Sequence, residues 1–123
     1  MIDTVIAEIS SIDVVEVLDL GGEFPSISAG LINSNRNTKI EGELAQRIAN
    51  LFRQLTPGES ARCHIPAFGL RYYYKNQLVL QVSMCWECNN MYVWKNDDTL
   101  LYGLNLQQPS SKHLLTLLEE SLG

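Results

Sequence analysis

Eight of the ten aromatic side chains in this 123-residue chain fall within residues 61–105, among strand-forming residues and between short polar breaks. Strand runs this short, with this little chain between them, pair as antiparallel hairpins, because a parallel pairing needs a crossover of a dozen residues or more. The runs are 61–65, 70–74, 78–85, 91–95 and 99–104. Lys75-Asn76-Gln77 and Asn96-Asp97-Asp98 supply two of the turns. An antiparallel meander in the C-terminal half follows from this spacing.

A sheet of this kind has an apolar face to bury, and two segments are suited to cover it. In residues 39–55, Ile40, Leu44, Ile48, Phe52 and Leu55 form one helical stripe, widened by Ala45, Ala49 and Leu51. Thr38 and Glu41 have capping-box spacing at its start, and Pro57-Gly58 marks the stop. A second helix is expected over 109–122, with Pro109 in its first turn and Leu114, Leu115, Leu117, Leu118 and Leu122 inward. Upstream, residues 12–20 read as a strand and 26–32 as another, with a turn at 21–26 and a polar loop at 33–37. Residues 2–9 fit either a helical turn or a pairing strand. The expected fold is α+β, one domain over 1–123, with two main helices on one face of an antiparallel sheet.

Composition excludes several classes of function. Hydrophobic residues make up 46% and charged residues 19%, which is globular rather than disordered. No apolar run is long enough for a membrane helix, and the first residues lack the pattern of a secretory signal, so a cytoplasmic protein is expected. The net charge is -5, which argues against nucleic acid and anionic membranes as partners. Charge is also unevenly placed. Residues 1–23 hold six acids and no base, whereas 36–75 hold seven bases and three acids. Either these segments neutralise one another in the fold, or Asp13, Glu16 and Asp19 form an acidic edge that steers a basic protein partner.

The remaining chemistry lies in Cys63-His64-Ile65-Pro66 and Cys85-Trp86-Glu87-Cys88-Asn89-Asn90. Three readings compete. Cys63, Cys85 and Cys88 could bind zinc with His64 or His113 as the fourth ligand, since thiolate and imidazole suit that ion. Against this, Cys85 follows directly on a strand and a second Cys-x-x-Cys is missing. Cys85 and Cys88 could form a redox dithiol, although no helix follows to lower a thiol pKa. Or the cysteines simply pack as small apolar groups, with no cofactor at all. A disulfide is not expected in a reducing cytoplasm. Arg71, alternating with Tyr72, Tyr73 and Tyr74, is either an interface anchor beside Tyr73 and Trp86 or a sheet-surface Arg paired with Glu87 or an Asp. Asn89 and Asn90 are either binding residues or a turn.

At these residues the chain resembles a group of small uncharacterised bacterial proteins with Cys-His-x-Pro, then Gly-Leu-Arg and aromatics, then Cys-Trp-x-Cys-Asn-Asn. The resemblance covers about 62–90 closely and implies that the three motifs form one unit, without implying an activity. No nucleophile elbow, phosphate-cradling loop or metallohydrolase motif is present in the sequence. The expectation is therefore a non-enzymatic interaction protein, similar in size and charge to inhibitor or immunity proteins that bind a basic partner. A small zinc-binding domain is the alternative, and a thiol-dependent enzyme the third.

Overall fold

The computed structural model describes Val5, residues 9–23, 26–28, 31–95 and 98–123, with backbone alone at 26–28, 95 and 98. In chain order these form β1 (Val14–Asp19), β2 (Ser26–Ser28), β3 (Leu31–Asn33), β4 (Asn37–Glu41), α1 (Gly42–Arg53), β5 (Phe68–Tyr74), β6 (Gln77–Cys85), β7 (Asn90–Lys95), β8 (Asp98–Gly103) and α2 (Pro109–Leu122). Six strands make one antiparallel sheet in the order β4-β1-β5-β6-β7-β8, and β2 and β3 form a separate hairpin. The fold is α+β, and β5 to β8 are the expected meander. Its first hairpin turns on Lys75 and Asn76, both at positive φ, as a two-residue connection requires. No helix among the described residues is long and apolar enough to cross a membrane.

Strand alternation sends Val15, Val17, Leu70, Tyr72, Leu80, Val82, Met84, Met91 and Val93 to one face, where α1 and α2 cover them with Ala45, Ile48, Phe52, Leu114 and Leu118. Val5 and Ile9 belong to the same core, while the other residues of 2–8 lie outside the described residues. Tyr72 packs its ring against Phe52 at 5.2 Å between centroids, fully buried, and its hydroxyl has no hydrogen-bond partner among the described residues. That burial pushes the phenol well above its ordinary pKa. Because an unmatched buried hydroxyl costs about 1–3 kcal/mol, Tyr72→Phe should leave stability unchanged or raise it in urea denaturation. A clear loss would show that the hydroxyl has a partner.

Three expectations need correction. Residues 37–41 are a strand, β4, and not the start of a helix. Thr38 lies opposite Val17 in the ladder, so it caps nothing, and the N-cap residue Glu41 makes no side-chain cap bond. Ile40 is buried in either conformation, but pairing with β1 also satisfies the backbone of the whole segment, and Gly42 at φ 72° makes the break into α1. Ser26–Ser28 and Leu31–Asn33 are two short antiparallel strands paired with each other, rather than one strand over 26–32. Residues 61–65 are irregular, followed by Pro66, which has no N–H for a ladder. This stretch bonds instead to side chains and turns far away in sequence.

Candidate functional site

The second face of the sheet is polar where a core would be apolar. Glu16, Arg71, Gln81, Ser83 and Asn90 all lie there, each buried. The β2–β3 hairpin covers part of it through a small cluster of Leu18, Leu20, Ile32 and Trp94, with the Ile32 N–H donating to Gln81 Oε1 at 3.0 Å. Residues 60–65 lie against another part, at Ser83, Cys85 and Asn90.

His64 anchors that loop. Its Nδ1 lies 2.7 Å from Asn90 Oδ1 and its Nε2 lies 2.7 Å from Ser83 Oγ. Asn90 fixes which nitrogen carries the proton. The Asn90 amide Nδ2 donates to Cys63 O at 2.8 Å, Ser60 Oγ at 3.0 Å and Ala61 O at 3.4 Å, so Oδ1 is the atom facing the ring. Nδ1–H therefore donates to Oδ1, and Nε2 accepts the Ser83 hydroxyl. The Tyr92 ring meets His64 edge-on at 4.6 Å. Nucleophile, base and orienting group follow one another here as in a serine hydrolase. Ser83, however, has no exposed surface, so a substrate cannot reach Oγ in this conformation. What the chain does is lock the loop to β6 and β7.

Burial lowers the pKa of His64 below its ordinary value, partly offset by the bond to Asn90. A base held neutral by the fold stabilises it above the unfolded pKa of about 6.5, and that contribution is lost as pH falls through the lower folded value. Thermal melts from pH 8 down to pH 5 should thus show a loss below about pH 6.5 that His64→Gln diminishes. An unchanged profile in the variant would remove His64 as its source.

The cysteines depart from the expected reduced set. Cys63 and Cys88 form a disulfide, which ties the loop to the β6–β7 turn, and the Ala61 N–H donates to Cys88 O at 2.9 Å beside it. Cys85 stays a free thiol, buried on the polar face, and its sulfur accepts the Cys88 N–H at 3.2 Å and the Ile65 N–H at 3.4 Å. In this oxidised form Cys63 and Cys88 are not available as zinc ligands, and both ring nitrogens of His64 are engaged. His113 is exposed on α2, on the other side of the sheet from Cys85. Among the described residues no group of three His, Cys, Asp or Glu side chains is placed to hold a metal ion.

The other sequence-selected residues separate. Arg71 pairs with Glu16, not Glu87: Nε lies 3.2 Å from Glu16 Oε1, off-line for a hydrogen bond, with both side chains 8% exposed. The Tyr73 hydroxyl donates to the same oxygen at 3.1 Å, and burial and the Glu16 charge raise its pKa. Asp19 pairs with Arg36 at 2.9 Å, and Asp13 accepts the Lys75 N–H at 3.0 Å. All three acids lie on or beside β1, an inner strand, so the basic segment neutralises part of the acidic one within the fold. Trp86 donates Nε1 to Ser111 Oγ at 3.0 Å, joining the β6–β7 turn to α2. Asn89 takes the positive-φ position at the end of that turn. The cluster joins the Cys63-His64 segment to the 83–90 segment; Ser83 is the member that spacing alone does not reveal.

A different surface lies at the margin. β8 is the last strand, and no described strand lies beyond it. Leu100 and Leu101 point to opposite faces, yet each is 47% exposed, so among the described residues the segment around Gly58 covers only the Gly103 end of this edge and leaves Thr99 to Leu101 open. Gly103 O accepts the Gly58 N–H at 3.1 Å, which shows that Gly103 turns its backbone outward. By the two-residue period Leu101 and Thr99 do the same. Gly103 is needed for this contact, since a Cβ there would lie 2.3 Å from Gly58 O. Comparison with known proteins finds no family model that matches the chain, and no similar curated protein or solved structure.

Proposed function

We propose that this protein is a non-enzymatic interaction module that receives an extended segment of a basic protein partner along the outer edge of β8. The observation that carries the reading is the open margin at Thr99 to Leu101, where outward backbone groups lie between two half-exposed leucines. Soluble proteins ordinarily protect such an edge with charge, proline or a covering segment, because it templates strand addition. An added strand takes its affinity from backbone bonds and its selectivity from side-chain pockets on both faces. The net charge of -5, with Asp97 and Asp98 just before Thr99 in the sequence, favours a basic partner. Neutralising such a partner by covering it, as inhibitor and immunity proteins do, is a task this edge suits.

The test uses the full-length protein immobilised against a lysate of its native host. Wild type should retain a basic protein, and Leu101→Lys should weaken that binding by about 2 kcal/mol or more, which exceeds tenfold. Thr99→Pro removes one outward N–H without touching the β7–β8 ladder and should act in the same direction. Glu43→Gln on α1 should change nothing. A partner held equally by all four proteins, or a β8 edge that pairs only with a second copy in sedimentation, would overturn the reading. The Cys63–Cys88 pair adds a condition: an oxidising compartment keeps it closed, whereas a reducing cytoplasm opens it.

A further inference from the structure

The third cysteine is placed as a reactant toward the disulfide. Cys85 begins the Cys-x-x-Cys turn that ends at Cys88, and its sulfur accepts the backbone N–H of Cys88 itself at 3.2 Å. On its other side it accepts the N–H of Ile65, two residues after Cys63. One free thiol thus sits between the two segments that the disulfide joins. Their exposure differs: Cys88 is fully buried and Cys63 is exposed.

From this juxtaposition we propose that the Cys63–Cys88 bond is one of two positions of a movable disulfide, and that its shift to Cys85–Cys88 arms Cys63 as an exposed nucleophile for thiol–disulfide exchange with a disulfide-bearing substrate. Cys85, once its proton has passed to solvent, attacks Cys88 Sγ. The Cys85–Cys88 bond forms, the Cys63–Cys88 bond breaks, and the electron pair leaves with the Cys63 sulfur. One thiol is consumed and one is formed, so no oxidant or reductant is needed. The direction of attack follows from burial. Attack moves the charge from the buried Cys85 sulfur, where the Cys88 and Ile65 N–H groups meet it, to Cys63 in water, whereas attack on Cys63 would leave it on the buried Cys88 sulfur. In the second step the Cys63 thiolate attacks one sulfur of the substrate disulfide, forming a mixed disulfide and releasing the other sulfur as a thiolate. The loop stays in place throughout, because the bonds from His64 to Ser83 and Asn90 hold it when its covalent tie has moved.

The experiment treats the folded, singly oxidised protein with iodoacetamide at pH 8 and maps label and disulfide by non-reducing peptide mass spectrometry. The expected product carries the label on Cys63 and a Cys85–Cys88 disulfide. Label on Cys85 with Cys63–Cys88 intact, or no label until denaturant is added, would overturn the proposal. Cys85→Ser should lose the Cys63 label altogether. Label at Cys63 in that variant would equally overturn it, and the wild-type map decides alone if the variant does not fold. With glutathione disulfide as the substrate probe, Cys63 should gain one glutathionyl group. Alkylation of Cys63 without that adduct would overturn the substrate step.

Discussion

Replacing Arg71 with Met is expected to cost about 3–5 kcal/mol in denaturant unfolding, among the largest effects of any single substitution here. The guanidinium of Arg71 and the carboxylate of Glu16 face each other across β5 and β1, directly opposite in register and nearly closed to water. Removing the cation leaves the carboxylate buried with, among the described residues, the Tyr73 hydroxyl as its one hydrogen-bond donor, a neutral one. The cost comes from that stranded charge rather than from a large net value of the pair. Glu16→Leu combined with Arg71→Met should therefore recover most of the loss, since apolar pairs of similar volume often replace buried ion pairs without penalty. A double variant as unstable as the single one would mean that Arg71 acts by packing and not by charge.

Asn90→Ala should cost about 3 kcal/mol, because the side chain serves both sides of the loop contact. It receives the His64 proton through Oδ1, and through Nδ2 it satisfies Ser60 and the carbonyl of Cys63. The half-buried His64 Nδ1–H would lose its acceptor and the Cys63 carbonyl its donor, while the exposed Ser60 can turn to water. Asn90→Asp is the sharper form of the experiment. It keeps shape and the acceptor for His64 but turns an oxygen toward the Cys63 carbonyl, so it should be destabilised about as much as the alanine variant at neutral pH. Native stability in Asn90→Asp would show that the Nδ2 contacts are dispensable.

Local signals carried the meander and the two helices. Lys75-Asn76 turns the β5–β6 hairpin, apolar residues recur at helical spacing in 44–52, and Pro109 opens α2. The strand β4 was hidden because Thr38, Ile40 and Glu41 satisfy the rules for a capped helix as well as those for a strand. Pairing with β1, more than twenty residues upstream, decides between them. The irregular path of 61–65 likewise depends on Cys88, Cys85 and Asn90, which no local window contains. Ser83 had a weak signal available. Gln81 and Ser83 alternate as polar residues in the otherwise apolar run 78–85, which on an inner strand marks a buried row that needs polar partners. The Cys63–Cys88 pairing was missed because compartment, not geometry, was used to judge it. Composition located the acids correctly in sequence but could not place them on an inner strand beside Arg36 and Arg71.

The open edge at β8 is tested most directly by amide hydrogen exchange on the protein alone and in complex with its captured partner. Bound protein should show slowed exchange at Thr99 and Leu101, whose N–H groups face outward, with little change in α1. Unchanged exchange at these two amides in a verified complex would contradict strand addition at β8 and move the binding surface elsewhere on the molecule.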